Sequence, residues 1–203
     1  SFAIGAGNAS ISNASPINGL DQRGHSRTTS DIGAYAVSNQ ITVTTTADTI
    51  NSTDGVTSLR EAITLANTTP GNDVIVFNLT GVNTITLGSA ALPTILATSG
   101  AGSLTITGPG ASSLIISGNN GSDVRNFNIF NIATGGNLTI SGVTISGAKT
   151  TSNGAGFSNL GILAVANSLI TGNTAAGKMG GGIFSSGTLS VSGSTFTSNS
   201  AKY

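Results

Sequence analysis

The 203-residue chain has no cysteine and no tryptophan, one methionine, one histidine and four prolines. Without cysteine no disulfide can hold the fold together, and cysteine usage says nothing of the redox compartment. Charge is equally scarce, at seven basic and seven acidic residues for a net of zero. There is no basic run, so the electrostatic footprint that nucleic acid or anionic lipid requires is missing and no nucleic-acid partner is expected. Long apolar runs are missing too. A stretch such as Ile162 to Ala166 is far too short to cross a bilayer, so no membrane insertion is expected. A surface so poor in charge is weakly protected against self-association, which suits a protein that associates.

What the chain has in abundance is small and polar: 29 Gly, 29 Thr, 28 Ser and 20 Asn. Such a composition can mean disorder, but disordered tracts do not keep Leu, Ile and Val in register through repeated turns. Here they are kept. Between Gly136 and Ala201 one pattern is written three times, as GNLTISGVTISGA, GILAVANSLITGNTA and GTLSVSGSTFTSNSA. Leu138, Leu163 and Leu189 share a column at intervals of 25 and 26, Ile140, Val165 and Val191 follow two residues on, and Ile145, Ile170 and Phe196 seven residues on. Asn173 and Asn199 sit ten residues after their leucines and are expected to stack as a ladder.

A fixed period of this length marks a solenoid with one turn per repeat. Within each copy the alternation Leu-x-Ile or Leu-x-Val has period two, which is strand and not helix. Successive copies run in the same direction, so each strand must lie parallel on its equivalent one turn later, about 4.8 Å away. The fold class expected is therefore all-β, a parallel β-helix with two or three short strands per turn.

Three regions follow. Residues 1–39 form a leader that lacks the repeat, with strand-like pieces at Phe2 to Ile4 and Ile32 to Val37 around a loop carrying Asp21, Arg23, His25, Arg27 and Asp31. Residues 40–72 hold a first strand, QITVTTTADT, and a capping helix. Ser58 is its N-cap and Glu61 completes a capping box, while Leu59, Ala62, Ile63 and Ala66 form one apolar stripe. Pro70 and Gly71 stop it. A lone amphipathic helix ahead of the coils is expected to serve as a lid over the first turn, where strand edges would otherwise be bare.

Residues 73–203 are the coils. Their inward columns are expected at Val74 and Val76 or at their neighbours Ile75 and Phe77, then at Ile85, Leu87, Leu104, Ile106 and Ile115. An enlarged turn near Asn120 to Asp123 interrupts the period, and a strand is expected at Phe127 to Phe130. The chain begins at Ser1 with no signal-like segment, which reads as a piece of a longer product.

Candidate chemistry is thin. Polysaccharide-cleaving β-helices need grouped acids, but within the coils only Asp73 and Asp123 are acidic. Asp48, Asn51 and Asp54 offer oxygens to Ca²⁺ without the spacing of a dedicated loop. Arg60 and Glu61 are expected to anchor the lid. No catalytic residue, metal or cofactor is expected, and the chain is not expected to be an enzyme.

DGVTSLREAI at Asp54 to Ile63, followed by NTTPGNDVIVF and the GTLSVSGSTFTSNSA-type repeats, resembles the bacterial surface proteins that carry a CSLREA-type motif and a right-handed parallel β-helix. AIGAGN at Ala3 to Asn8, DQRG at Asp21 to Gly24 and DIGAY at Asp31 to Tyr35 are similar to the closing segment of choice-of-anchor-type members. Thr57 stands where the motif usually has Cys. The closing segment also precedes the opening one, the order expected of a repeat cut from a tandem array or of subunits that lend their leader to a neighbour.

The resemblance implies an extracellular or bacterial cell-surface location; an open C-terminal coil, a lidded N-terminal coil and a leader resembling a closing segment lead to the expectation of a structural module that stacks head to tail with identical copies into a filament, stalk or adhesin shaft. The residues expected at the junction are Phe2, Ile4, Ile11, Ile32 and Tyr35 of the leader, Leu59 and Ile63 of the lid, and Leu189, Val191 and Phe196 of the last repeat. An adhesin that binds surface glycans is the alternative, though two tyrosines supply few aromatic platforms. A lyase- or hydrolase-like β-helix is a third reading.

Overall fold

The computed structural model describes residues 39–88, 90–96, 102–118 and 126–202. The leader, with Phe2, Ile4, Ile11, Ile32 and Tyr35, lies outside the described residues, as do His25 and Asp123.

The described chain is all-β with parallel sheets and one helix, α1. The chain makes a series of passes. The first holds β1 (Asn39–Val43) and α1 (Leu59–Thr68); the second holds β2 (Asp73–Phe77) and β3 (Asn83–Thr86); the third holds β4 (Leu104–Thr107), β5 (Leu114–Ser117) and β6 (Phe130–Ile132). Then come β7 (Asn137–Ser141), β8 (Thr144–Ser146), β9 (Lys149–Thr150) and β10 (Phe157–Asn159), followed by β11 (Ile162–Ala166), β12 (Leu169–Thr171), β13 (Thr174–Ala176) and β14 (Ile183–Ser185). The last pass holds β15 (Thr188–Ser192), β16 (Thr195–Thr197) and β17 (Ser200–Lys202). Each sheet collects equivalent strands, in the orders β1-β2-β4-β7-β11-β15, β16-β12-β8-β5-β3, β14-β10-β6 and β17-β13-β9.

The leucine column is a real column. Leu104 pairs with Leu138, Leu138 with Leu163 and Leu163 with Leu189, so the register survives the irregular interval between Leu104 and Leu138. Ile116, Ile145, Ile170 and Phe196 form a second column. Alternation decides the faces: in β7, Leu138 and Ile140 are buried while Asn137, Thr139 and Ser141 stay partly exposed. Each such aliphatic side chain contributes roughly 1.5–3 kcal/mol on burial. Phe130 and Phe157 stack on neighbouring passes, ring centroids 5.2 Å apart.

Several local expectations change. Ile115 points outward and Leu114 and Ile116 point inward, because Ile116 is the residue in register with Ile85 and Ile145. The strand expected at Phe127 to Phe130 is instead β6, placed by the pairing of Phe130 and Ile132 with Phe157 and Asn159; Phe127 packs beside the core from a loop. Of the open alternatives in β2, Ile75 lies in the core, between Ile41 and Ile106. The pass from β11 to β14 contains four strands rather than two or three. The first strand ends at Val43, after which Thr44 turns to bond with Thr57.

The helix forms as its sequence dictates. The Ser58 hydroxyl accepts from the Glu61 amide at 3.2 Å, and the Glu61 carboxylate accepts from the Ser58 amide at 2.8 Å. Leu59, Ala62, Ile63 and Ala66 are buried, and α1 packs on β1 and β2.

Candidate assembly surface

The strands β14, β15, β16 and β17 are each the outermost member of a sheet, so the chain from β14 to β17 presents a run of strand edge. The residues along it are IFS, TLSVS, TFT and SAK, with Lys202 the single charge and no proline. Sheet edges left to face water are commonly blunted by charge, proline or a bulge; this one is nearly bare.

The side chains of the same pass are bare as well. Leu189, Val191 and Phe196 are 41%, 43% and 44% exposed, whereas their column mates Leu163, Val165 and Ile170 are 0%, 1% and 0% exposed. The residues are chemically alike and stand in register. The difference is that a further pass covers Leu163, Val165 and Ile170, and nothing among the described residues covers Leu189, Val191 and Phe196.

Polar ladders run toward the same edge. The Asn173 Nδ2 donates to the Ile145 carbonyl and to Asn199 Oδ1, both at 3.0 Å, and Asn173 Oδ1 accepts from the Ala148 amide at 3.0 Å. Asn199 repeats the arrangement one pass on, donating to the Ile170 carbonyl at 2.7 Å and accepting from the Asn173 amide at 3.1 Å. The ladder expected from the Asn spacing is therefore present. A second ladder was not expected: Ser168 Oγ accepts from the Val143 amide and Ser194 Oγ from the Ser168 amide. Its signal in the sequence is the interval of 26 between the two serines, a weak one in a chain with 28 serines.

At the opposite end the helix is clamped down. Asp48 receives Arg60 through two bonds, Nε to Oδ1 at 2.8 Å and Nη2 to Oδ2 at 2.9 Å, and also takes the Gly88 amide at 2.7 Å. Arg60 reaches further to the Ala90 and Ala91 carbonyls. Glu61 serves the cap, and its carboxyl is held below the usual glutamate range by the donated Ser58 and Asn51 amides. Arg60 and Glu61 thus anchor the lid, as expected. Leu59 and Ile63 are buried beneath it against the chain's own core, so they support this end from within and do not reach its surface; Ile50, Val56 and Leu65 are the apolar side chains exposed there.

The oxygens considered for Ca²⁺ are engaged elsewhere. Asp48 is in the clamp, Asn51 Oδ1 accepts from Thr53, and Asp54 Oδ1 accepts from the Val56 amide. Asp73 is buried, its carboxyl raised above the usual aspartate range by burial and partly offset by hydrogen bonds from Thr69 and Asn39. The recess beside it, lined by Asn67, Gly71, Ser103 and Asn137, has a volume of about 10 Å³, room for roughly one water. Among the described residues no three His, Asp or Glu side chains gather, and no helix is long and apolar enough to cross a membrane.

Comparison of the chain with family models, with curated proteins and with solved structures finds no match in any of the three.

Proposed function

We propose that this chain is a right-handed parallel β-helix whose work is mechanical: a subunit or repeat that stacks head to tail on identical copies, forming a filament, stalk or adhesin shaft outside the cell. One observation carries the reading. Leu189, Val191 and Phe196 continue columns that are dry one pass earlier, yet they lie open along four adjoining strand edges. Covering them would contribute roughly 1–2 kcal/mol each, given their half-exposed state, and would pair every open backbone group of the last pass.

The opposite end differs from this one, being lidded by α1, so a junction between them joins unlike surfaces. Such a contact generates an open chain when its rotation does not close. The resemblance of the Asp54 to Ile63 stretch and of the leader to bacterial β-helical surface proteins supports the same use. In this reading the leader of one copy adds strand to the last pass of the next.

Sedimentation velocity of the full chain and of a chain lacking residues 1–37 tests it. The full chain is expected to sediment as a concentration-dependent series of large species and the shortened one as a folded monomer. A full chain that stays monomeric at every concentration contradicts the reading.

A further inference from the structure

The last three passes share more than an apolar column. Four residues after each leucine stand Gly142, Asn167 and Gly193, with φ of 66°, 48° and 55°, and nine residues after it stand Gly147, Gly172 and Ser198, with φ of 62°, 64° and 53°. Each of these three passes therefore makes two left-handed steps at fixed places. Glycine takes them freely, and among other residues asparagine is one of the most tolerant.

The leader carries this signature. Counting from Ile4 in place of the leucine, Ala6 falls in the Val165 and Val191 column and Ile11 in the Ile170 and Phe196 column. Asn8 falls at the first left-handed step, Asn13 at the second, and Ala14 in the place of Ala148. Starting the count at Phe2 fails, since Ala6 and Ile11 would then stand at the left-handed steps.

Sterics at the first step agree. A side chain at Gly193 would collide with the Asn167 amide below it, whereas Asn167 itself lies over side-chain-free Gly142. From Gly142 upward the column reads Gly, Asn, Gly, and an asparagine at the next level would stand over side-chain-free Gly193 as Asn167 stands over Gly142.

We infer that residues 4–14 of a neighbouring copy form the next level of the stack, with Ile4 in register on Leu189, Ala6 on Val191, Asn8 over Gly193 and Ile11 on Phe196. This rests on the head-to-tail reading and gives it a register. Pairing begins at Ala3, because Phe2 would fall where the turns hold Gly136, Gly161 and Gly187, whose added Cβ would meet backbone carbonyls. Pairing ends by Pro16, which has no amide to donate. The serine and asparagine ladders stop at the junction, since Ala9 and Ala14 occupy their columns. The joint between copies therefore lacks the side-chain ladders that tie the last two junctions within a copy.

The absence of native cysteine permits a clean test by disulfide trapping in the full chain. Gly5→Cys with Ser190→Cys places the thiols on directly paired residues, about 4.8 Å apart at Cα and within bridging range. Gly5→Cys with Ser192→Cys offsets them by two residues, to roughly 8 Å and out of range. Mild oxidation is expected to turn the first variant into a ladder of linked oligomers, with roughly tenfold less product from the second. Equal or reversed yields while large species still sediment would overturn the register and leave stacking intact. Linked product that remains a monomer would show the segment closing its own chain, overturning the neighbour as its source. No linkage together with a monomeric full chain would overturn the register and the stacking reading at once.

Discussion

The pass from β11 to β14 and the pass that follows it are near copies in sequence, paired residue for residue, and opposite in environment. Leu163, Val165 and Ile170 see no water; Leu189, Val191 and Phe196 are open to it. Identical patterning thus has two outcomes, decided by whether another level lies above. Where parallel passes stack, the unit of burial is the interface between passes and not the pass itself.

The sharpest way to break this comparison is truncation at matched positions. Leu163→Ala is expected to lower stability by about 2–5 kcal/mol, the ordinary cost of a cavity in a dry core. Leu189→Ala is expected to cost less than about 1 kcal/mol in chains kept apart by dilution. Chemical denaturation of both measures it, and equal costs in dispersed chains would mean that the last pass is covered. In assembled material the Leu189 variant should instead dissociate at higher concentration.

The lidded end sharpens the contrast from the other side. Asp48→Ala leaves the mostly buried Arg60 guanidinium without its carboxylate and is expected to cost about 2 kcal/mol, loosening α1 and quickening amide exchange in β1 and β2. A variant as stable as the parent would show that the clamp is not what holds the lid.

Next in size are the two rungs of the asparagine ladder. Asn173→Ala strips the Ala148 amide of its acceptor in a dry setting and is expected to cost about 1–3 kcal/mol. Asn199→Ala, at the edge, should cost about half as much. Thermal melts of the pair decide it; a costlier Asn199 would reverse the order of the passes.

The smallest effect is with pH. Glu61, held below its ordinary value, contributes stability that is present above about pH 4.5 and lost as the pH falls through its lower folded value. Asp73 is raised above its ordinary 3.8, so its penalty is in force at neutral pH and is relieved as the pH falls through the raised value. Calorimetry should show stability rising slightly on mild acidification and then falling. Asp73→Asn should abolish the rise and leave the fall, which Glu61→Gln should in turn reduce.

Much of this architecture was legible because its cause is local. The column from Leu138 to Leu189 is set by period-two alternation, and the helix by Ser58, Glu61 and one apolar stripe, all readable within a few residues. What was misread depends on partners distant in sequence. In LIIS three apolar residues run together, so only the pairing with Ile145 shows that Ile116 and not Ile115 faces inward. In FNIFNI two phases fit equally, and Phe157 selects Phe130. The oxygens of Asp48 could be counted in the sequence but their engagement could not, because Arg60 lies 12 residues on and the Gly88 amide 40 residues on. At the candidate surface, the apolar identity of Leu189, Val191 and Phe196 was plain in the sequence, and their exposure was not.

Electron microscopy of the purified full chain tests the central claim most directly. The account predicts unbranched threads of uniform width whose axial repeat is about 34 Å, the height of the six-stranded sheet plus one donated level at ~4.8 Å each. Discrete particles of single-chain size at high concentration would contradict it.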